Sequence, residues 1–348
     1  MLKTTIPRNQ TADILKGLAV IFMIQVHIME QFASVAANET VFGRIFYFLG
    51  GPFCAPVFVA VMGYFLAASK QSFQFFIKRG VVLFLLGILL NIGRSIHLLI
   101  TIFQGKYELY PLFYIFGADI LTLAGLSIIL AAVLRLISKR SFLLYVPVMF
   151  LFAVLGVFFQ TGIQDQRYYL GFITGNAAQS YFPLFPWFSY VLAGYIFKIL
   201  YDKYQNYFHP LAYIHWTLIG LIGILIMIFT PYAFNISGDL PSYYHHGITF
   251  FLWVVGLMML YVLIIHSIVR WIKNTWVIEY LAWTGKNVTV IYILQWLVIG
   301  NIATAIYRTQ SLFQSELWFV GITVVSCLMA LVYVKIKAYY QSKREDLL

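Results

Sequence analysis

Four ionisable side chains occur in one apolar stretch near the N terminus. In DILKGLAVIFMIQVHIMEQF, residues 13–32, the four are Asp13, Lys16, His27 and Glu30, and the rest is apolar enough to cross a bilayer. An ionisable group inside a membrane helix is costly unless it has a partner or faces a wet cavity. The stretch therefore indicates either a functional site or a buried polar network.

His27 and Glu30 have the chemistry of an acid–base site. They are three residues apart, so they lie on one face of a helix. A histidine with a nearby carboxylate can act as a general base, because the carboxylate fixes its tautomer. An arginine near such a base can hold an anionic group or a developing oxyanion.

Three more polar residues are expected at the depth of His27. An α-helix rises about 1.5 Å per residue, which places His27 about 9 Å below the outer end of its helix. Asn91 and Arg94 in LLNIGRSIHLL and Asp119 in FGADILTLAG fall at a similar depth on two other predicted helices. The catalytic candidates are therefore His27, Glu30, Asn91, Arg94 and Asp119. The alternative is a structural network in which His27, Arg94 and Asp119 only satisfy one another.

The composition around these residues is that of an integral membrane protein. Of the 348 residues, 62% are hydrophobic and 10% are charged, and the mean hydropathy is +0.86. About 20 residues are needed to cross the hydrocarbon of a bilayer. We therefore expect an all-α, polytopic fold that forms a single transmembrane domain over 1–348, with ten helices at 12–33, 52–69, 80–100, 112–134, 142–160, 181–201, 211–230, 248–269, 285–307 and 317–336.

The distribution of basic residues indicates the orientation. The net charge is +11, but the basic residues are scattered singly between apolar runs, which does not favour nucleic-acid binding. With a cytoplasmic N terminus, 18 of the 23 Lys and Arg residues lie inside. The other five are outside: Arg44, Arg94, Lys106, Arg167 and Arg308. Both termini are therefore predicted to be cytoplasmic.

A cleaved signal peptide is the alternative for the first helix. Small residues at 34–37 would suit cleavage, but the apolar stretch is long and carries His27 and Glu30 near its end. These two residues favour a retained transmembrane helix.

Cations also mark the predicted cytoplasmic ends of several helices. Lys16, Lys78, Arg79 and Lys286 are either ordinary membrane anchors or parts of a cationic ring that binds a polyanionic nucleotide. Sequence alone leaves both interpretations open.

Aromatic and histidine residues near the predicted outer face are candidates for substrate contact. Trp187 could stack on a sugar, although aromatic residues are common at membrane interfaces. His245 is adjacent to His246, a poor spacing for a metal pair, and belongs either to an ordinary outer loop or to a weak acceptor site. Cys54 and Cys327 lie in separate apolar segments, so no metal site is expected.

Several stretches resemble one family of membrane acyltransferases. Asp13-x-x-Lys16-Gly17 followed by His27 is similar to the opening of such enzymes, with Lys16 in place of the usual Arg. Five further stretches resemble, in order, the bacterial relatives of heparan-alpha-glucosaminide N-acetyltransferase: GGPFCAPVFVAVMGYFLA, KRGVVLFLLGILLN, ADILTLAGLSIIL, YFPLFPWFSYVLAGYIF and TGKNVTVIYILQW. Gln295, in the last of these, stands where some relatives have His.

The resemblance implies a multi-pass enzyme of the bacterial inner membrane. Such an enzyme moves an acetyl or other acyl group from cytoplasmic acyl-CoA to an amine or hydroxyl of a sugar or glycan on the outer side. Acetyl-CoA is then the expected co-substrate, and membrane lipids and a second copy of the chain, as a homodimer, are compatible partners.

The resemblance also implies residue roles. His27 corresponds to the family's essential histidine, as a general base or as the carrier of a covalent acyl group. The expected donor-binding residues are Lys16, Lys78, Arg79, Lys286 and Asn287.

A transporter is the competing class. Ten helices with an intramembrane histidine would also suit a proton-coupled permease or a lipid-linked sugar flippase. The two halves of the sequence show no visible repeat, which favours the enzyme.

Overall fold

The computed structural model describes residues 9–138, 142–158, 168–175, 179–208, 212–271 and 275–345, and this part of the chain is helical with no strand. A 3-10 helix spans Tyr168–Phe172. The α-helices are α1 Gln10–Gln31, α2 Val35–Glu39, α3 Val41–Gly50, α4 Ala55–Ala68, α5 Phe73–Arg94, α6 Ile96–Phe103, α7 Pro111–Ile115, α8 Ile120–Ser138, α9 Phe142–Phe158, α10 Leu184–Phe208, α11 Ala212–Gly238, α12 Leu240–Tyr244, α13 Ile248–Trp271, α14 Trp276–Lys286, α15 Val288–Ile306 and α16 Leu312–Glu345.

These helices confirm a multi-pass membrane protein. Within the described ranges, nine segments are long and apolar enough to cross a bilayer, counting Val41–Ala68 as one, and α9 is a shorter apolar helix of 17 residues. Each of the ten predicted segments overlaps at least one helix. Arg167, one of the five cations predicted outside, is not among the described residues.

The predicted fourth helix, 112–134, is broken in the structure. α7 ends at Ile115, and α8 begins at Ile120 after an irregular stretch that contains Gly117 and Asp119. Asp119 directly precedes α8, and its Oδ1 accepts a hydrogen bond of 2.6 Å from the backbone N–H of Ile120. The break places the Asp119 carboxylate at the start of α8 instead of inside a continuous helix.

α1 is the central helix of one half of the molecule. It packs against α3, α4, α13, α14, α15 and α16, and most of its residues are buried. Its neighbours α14 and α15 form one apolar core with it, while α4, α8, α9, α10 and α13 form a second core. His27 and Glu30 are therefore carried by a helix with few exposed positions.

α14 falls in a region predicted to be a cytoplasmic loop. It packs so closely on α1 that a Cβ at Gly285 would lie 1.8 Å from the carbonyl oxygen of Asp13. A Cβ at Gly17 would likewise lie 2.0 Å from the carbonyl oxygen of Leu281. Only glycine allows this approach, and the contact fixes α1 against α14 near the predicted inner side.

Candidate functional site

The imidazole of His27 is held by an amide from α15. His27 Nδ1 lies 3.2 Å from Oε1 and 3.0 Å from Nε2 of Gln295, and Gln295 Nε2 lies 3.3 Å from the carbonyl oxygen of Tyr292. Both amide atoms are satisfied when Nε2 donates to Tyr292 and Oε1 accepts from Nδ1–H. In that arrangement His27 Nε2 keeps its lone pair.

Asp119 connects two other parts of the site. Its carboxylate accepts hydrogen bonds from Arg94 at 2.7 Å and from the hydroxyl of Tyr292 at 2.6 Å. The Trp296 ring lies 4.2 Å from the ring of His27, and the Arg94 guanidinium lies 4.6 Å from the Trp296 ring. The structure therefore brings His27, Arg94 and Asp119 close together, as expected. They do not contact one another as a group of three, because Tyr292, Gln295 and Trp296 of α15 connect His27 to the Arg94–Asp119 pair.

Glu30 has a partner from a different part of the chain. The hydroxyl of Tyr244, at the end of α12, donates a hydrogen bond of 2.9 Å to Glu30 Oε1. The hydrogen bonds found for the His27 ring go to Gln295, whereas the sequence suggested Asp119 or Glu30 as the group that orients it. A glutamine thus takes the orienting position.

Asn91 supports the backbone at the start of α8. Its Nδ2 donates to the carbonyl oxygens of Ile115 and Gly117, at 3.1 and 2.8 Å. These bonds stabilise the break between α7 and α8, which in turn positions Asp119. Asn91 is fully buried.

A small pocket of about 30 Å³, which has room for one or two water molecules, lies against α1. Both His27 and Glu30 line it, together with Tyr47, Cys54, Tyr244 and Tyr292 and apolar residues. Arg94, Asn91 and Asp119 are not among the described residues that line this pocket, and Arg94 and Asp119 lie behind Tyr292. His27 and Glu30 therefore share one small cavity.

The candidate donor-binding cations lie in two groups. Lys16 forms an ion pair of 2.9 Å with Asp13, and Lys286 is exposed beside Gly285, where α14 touches α1. Lys78 and Arg79 are exposed on α5. None of these four residues lines the His27 pocket.

Asn287 has a local structural contact. Its Nδ2 donates a hydrogen bond of 2.9 Å to the carbonyl oxygen of Trp283, where α14 ends and α15 begins. It does not line the His27 pocket.

Trp187 is a core residue in the structure. Its side chain is fully buried, and its Nε1–H donates to the carbonyl oxygen of Tyr244 at 2.8 Å. An exposed ring was expected at the outer face, but Trp187 packs inward against Phe182 and Tyr243. The bond between Phe185 and Pro186, at the start of α10, is cis. A sugar cannot stack on this ring in the observed conformation.

The adjacent histidines after α12 have different environments. His245 is half-buried beside Gly175, and His246 is buried, with Nδ1 2.6 Å from the carbonyl oxygen of Tyr243 and Nε2 2.7 Å from the hydroxyl of Tyr190. Burial lowers the pKa of each to about 4. Neither histidine lines the His27 pocket.

The described residues contain no cluster of three or more His, Cys, Asp or Glu side chains that could hold a metal ion.

The sequence predicted no role at the site for Tyr292 and Trp296, two of the three residues that α15 contributes to it. Tyr292, Gln295 and Trp296 follow a spacing of three and four residues, so they share one helical face. A polar and aromatic face on an otherwise apolar helix could have indicated their position. Nothing in the sequence indicated that Tyr244 would contact Glu30, because this contact depends on the packing of α12.

The fold and the site define a multi-pass membrane protein in which a histidine and a glutamate line one pocket inside the helix bundle. Residues 8–219 match the model of a family described as heparan-alpha-glucosaminide N-acetyltransferase, catalytic, and the chain belongs to this family. It is therefore a membrane acetyltransferase of that family. No curated protein and no solved structure matches the chain.

The matched segment carries only part of the site. His27, Glu30, Arg94 and Asp119 lie within it, whereas Tyr244 and Gln295 lie beyond its end. The pocket thus combines the family segment with two later parts of the chain.

Proposed function

We propose that this protein transfers an acyl group, acetyl in the simplest case, from cytoplasmic acyl-CoA to an amine or hydroxyl of a sugar on the outer side of the membrane. The observation that carries the proposal is that His27 and Glu30 line one pocket while Gln295 holds the His27 ring from behind. This arrangement suits a general base that faces a bound acceptor.

In the proposed reaction, His27 Nε2 accepts a proton from the acceptor as its nitrogen or oxygen attacks the thioester carbonyl carbon. The new C–N or C–O bond forms, and the C–S bond then breaks. The protonated imidazole gives its proton to the departing thiolate, so CoA leaves as the free thiol. His27 ends the cycle neutral.

The oxyanion of the tetrahedral intermediate needs a donor on the pocket wall. The sequence candidates Arg94 and Asn91 do not line the pocket, whereas Tyr244 and Tyr292 do. We assign this role to the two tyrosines, whose hydrogens can rotate from Glu30 and Asp119 towards the pocket. Arg94 then acts through Asp119, which it holds at 2.7 Å.

Acyl-CoA is proposed to bind with its phosphates near the predicted cytoplasmic cations. Lys16 and His27 are on the same helix, eleven residues apart, which is about 16 Å along the axis. The extended pantetheine arm would cover this distance between helices. Lys16 and Lys286 form one candidate group for the phosphates, and Lys78 and Arg79 form another.

The test is acyl transfer by the purified protein in proteoliposomes, with acetyl-CoA on one side and glucosamine on the other. Replacing His27 with Ala is expected to lower kcat by about 100-fold or more, the usual cost of losing a general base, and to leave acetyl-CoA binding intact. The exposed His97, replaced with Gln, serves as the matched control.

Two outcomes would contradict the proposal. Turnover near that of the wild type in His27→Ala would assign the buried cluster a structural role only. Failure of the wild-type protein to bind acetyl-CoA would favour the transporter class, since a permease has no use for this donor.

A further inference from the structure

A second cavity, of about 480 Å³, opens at one end of the helix bundle. It is lined by residues from segments 35–47 and 234–241 and by Arg308. Three candidate membrane spans have an end among or beside these lining residues: Val41–Ala68, Gly220–Gly238 and Val288–Ile306. The cavity therefore lies at the level where helices leave the hydrocarbon, which is also the level of the lipid headgroups. We call this cavity the vestibule.

Two arginines of the vestibule have no charged partner. Arg44 and Arg308 are exposed, and no carboxylate in the described part of the chain lies within ion-pair distance of either. Glu39 and Asp239 also line the cavity; Asp239 caps α12, whereas Glu39 is exposed. Two positive and two negative side chains give this lining no net charge. A lining of this kind is complementary to a zwitterionic ligand.

The backbone of Arg308 has a conformation that favours glycine. Its φ is +53°, in the left-handed region, where a residue with a Cβ is strained. The N–H of Arg308 donates to the carbonyl oxygen of Gln31 at 3.0 Å, and the N–H of Gln310 donates to that of Phe32 at 2.8 Å. These bonds hold the turn against the end of α1 and impose the conformation. A long cationic side chain at such a position indicates a role for the side chain itself.

An exposed apolar stripe on α11 leads to the vestibule. Leu221, Leu225, Ile228 and Tyr232 are exposed at intervals of three or four residues, and Asn235 of the vestibule continues the series on the same face. The stripe is about 21 Å long, since an α-helix rises about 1.5 Å per residue. This length exceeds the hydrocarbon of one leaflet, about 15 Å. A ligand with its polar end in the vestibule can therefore lay an acyl chain along the stripe.

We propose that the vestibule binds the headgroup of a zwitterionic phospholipid that carries a primary ammonium group, as phosphatidylethanolamine does. The phosphodiester binds Arg44 and Arg308, whose guanidinium groups suit phosphate oxygens, and the ammonium group faces Glu39. One acyl chain follows the stripe on α11 into the membrane. The inference concerns lipid binding, so it does not depend on the proposed acyl transfer.

The experiment measures lipid binding to the purified protein in detergent by native mass spectrometry. The probes are phosphatidylethanolamine, phosphatidylglycerol and diacylglycerol with identical acyl chains. The Kd for phosphatidylethanolamine is expected to be about five-fold lower than that for phosphatidylglycerol, which lacks the ammonium group. It is expected to be about 10-fold lower than that for diacylglycerol, which lacks the phosphate.

Variants of the two arginines test the phosphate contact. Arg44→Gln and Arg308→Gln are each expected to raise the Kd for phosphatidylethanolamine by about five-fold, because each removes charge-assisted hydrogen bonds. Lys106→Gln removes an exposed cation that is not among the residues lining the vestibule, so the Kd should not change.

Arg308→Gly distinguishes a role in binding from a structural role. Glycine adopts a positive φ without strain, so the melting temperature without added lipid should not fall. The Kd for phosphatidylethanolamine should nevertheless rise as it does in Arg308→Gln. A lower melting temperature with an unchanged Kd would assign Arg308 a structural role and contradict the proposal.

The stripe on α11 is tested in the same assay. Ile228→Gln places a polar group on the stripe and is expected to raise the Kd for phosphatidylethanolamine by about three-fold. Met227→Gln, an exchange at an exposed position beside the stripe, should leave it unchanged. Glycerophosphoethanolamine, which is the headgroup without chains, should compete poorly for the site.

Three results would overturn the inference. The first is equal binding of all three lipids by the wild type, and the second is an unchanged Kd in both arginine variants. The third is tighter binding of phosphatidylglycerol than of phosphatidylethanolamine, which would exclude a zwitterionic headgroup. None of these measurements uses acyl transfer, so the proposed function and the lipid site can fail separately.

Discussion

At the scale of residues, the partner of His27 is an uncharged amide. A carboxylate in the place of Gln295 would add a negative charge beside the imidazole, whereas an amide orients the ring without adding charge. The carboxylates of the site are used elsewhere, since Asp119 binds Arg94 and Tyr292, and Glu30 binds Tyr244. The amide therefore orients the proposed base without forming an ion pair with it.

Exchanging this amide for a carboxylate tests its role. In Gln295→Glu, the new charge beside Nδ1 is expected to move the acidic limb of the kcat/KM profile to higher pH, because the imidazolium is stabilised. Gln295→Leu leaves Nδ1 without a partner and should lower kcat by about 10-fold or more. The measurement is kcat/KM for acyl transfer from pH 5 to pH 9.

Gln314→Glu, an exposed exchange of the same kind on α16, is the control and should not move the profile. An acidic limb that stays in place in Gln295→Glu would show that His27 is not the titrating base.

The sequence predicted the members of the polar cluster better than the contacts between them. Depth along three helices brought His27, Arg94 and Asp119 to one level, and the structure places them around Trp296 and Tyr292. The bond from His27 to Gln295 joins residues 268 positions apart, and hydropathy alone contains no information on which helix faces α1. Trp187 was predicted at the outer face from its position along the sequence. Hydropathy does not indicate that its ring packs inward against Phe182 and Tyr243.

At the scale of elements, the end of α12 is held by two buried side chains. His246 bonds the carbonyl oxygen of Tyr243, and Trp187 bonds the carbonyl oxygen of Tyr244. These bonds fix the backbone at Tyr244, whose hydroxyl reaches Glu30. The packing of α12 therefore affects the pocket, although His246 and Trp187 do not line it.

Acid should destabilise this element. Burial lowers the pKa of His246 from 6.5 to about 4, so between these values the unfolded chain binds protons that the folded chain does not. The contribution of His246 to the free energy of unfolding is fully present above about pH 6.5 and decreases as the pH falls. The lowered pKa of His245 changes the free energy of unfolding in the same direction. The melting temperature in detergent is expected to fall by a few degrees from pH 7 to pH 5.

The variants His246→Gln and His97→Gln separate this effect from general acid sensitivity. The fall should be smaller in His246→Gln, which cannot take up the proton, and unchanged in His97→Gln. An equal fall in all three proteins would contradict the role given to His246.

Hydropathy predicted the long helices of the structure but not their interruptions. The ten apolar windows all contain a helix, since about 20 apolar residues are needed to cross the membrane. A window cannot detect the break before Asp119 or the short helix α14, because both depend on caps and glycine contacts. These interruptions place Asp119 at the site and fix the N-terminal part of α1 against α14.

At the scale of the whole molecule, the orientation remains a prediction from the basic residues. Single cysteines are introduced into a protein that carries Cys54→Ala and Cys327→Ser. Membrane-impermeant labelling of intact cells is expected at Lys106→Cys and Asp239→Cys. Lys70→Cys and Lys203→Cys should react only after the membrane is opened. All four replaced residues are exposed in the structure.

The labelling pattern bears on the proposed function. Reaction of Lys70→Cys from outside would reverse the orientation, and the donor and acceptor sides of the mechanism with it. Reaction of Asp239→Cys only after opening would place the turn between α11 and α12 on the cytoplasmic side.

The contact between Gly17 and α14 is a fixed point about which the tilt of α1 can change. The contact holds the helix near one end, and His27 lies ten residues further along, about 15 Å away. A change of about 4° in the tilt of a rigid helix about that pivot moves the imidazole by about 1 Å. Misplacement of about 1 Å in a reacting group can cost about 100-fold in rate. The proposed chemistry is therefore sensitive to Gly17 and Gly285, which hold the far end of α1 against α14 and do not line the pocket.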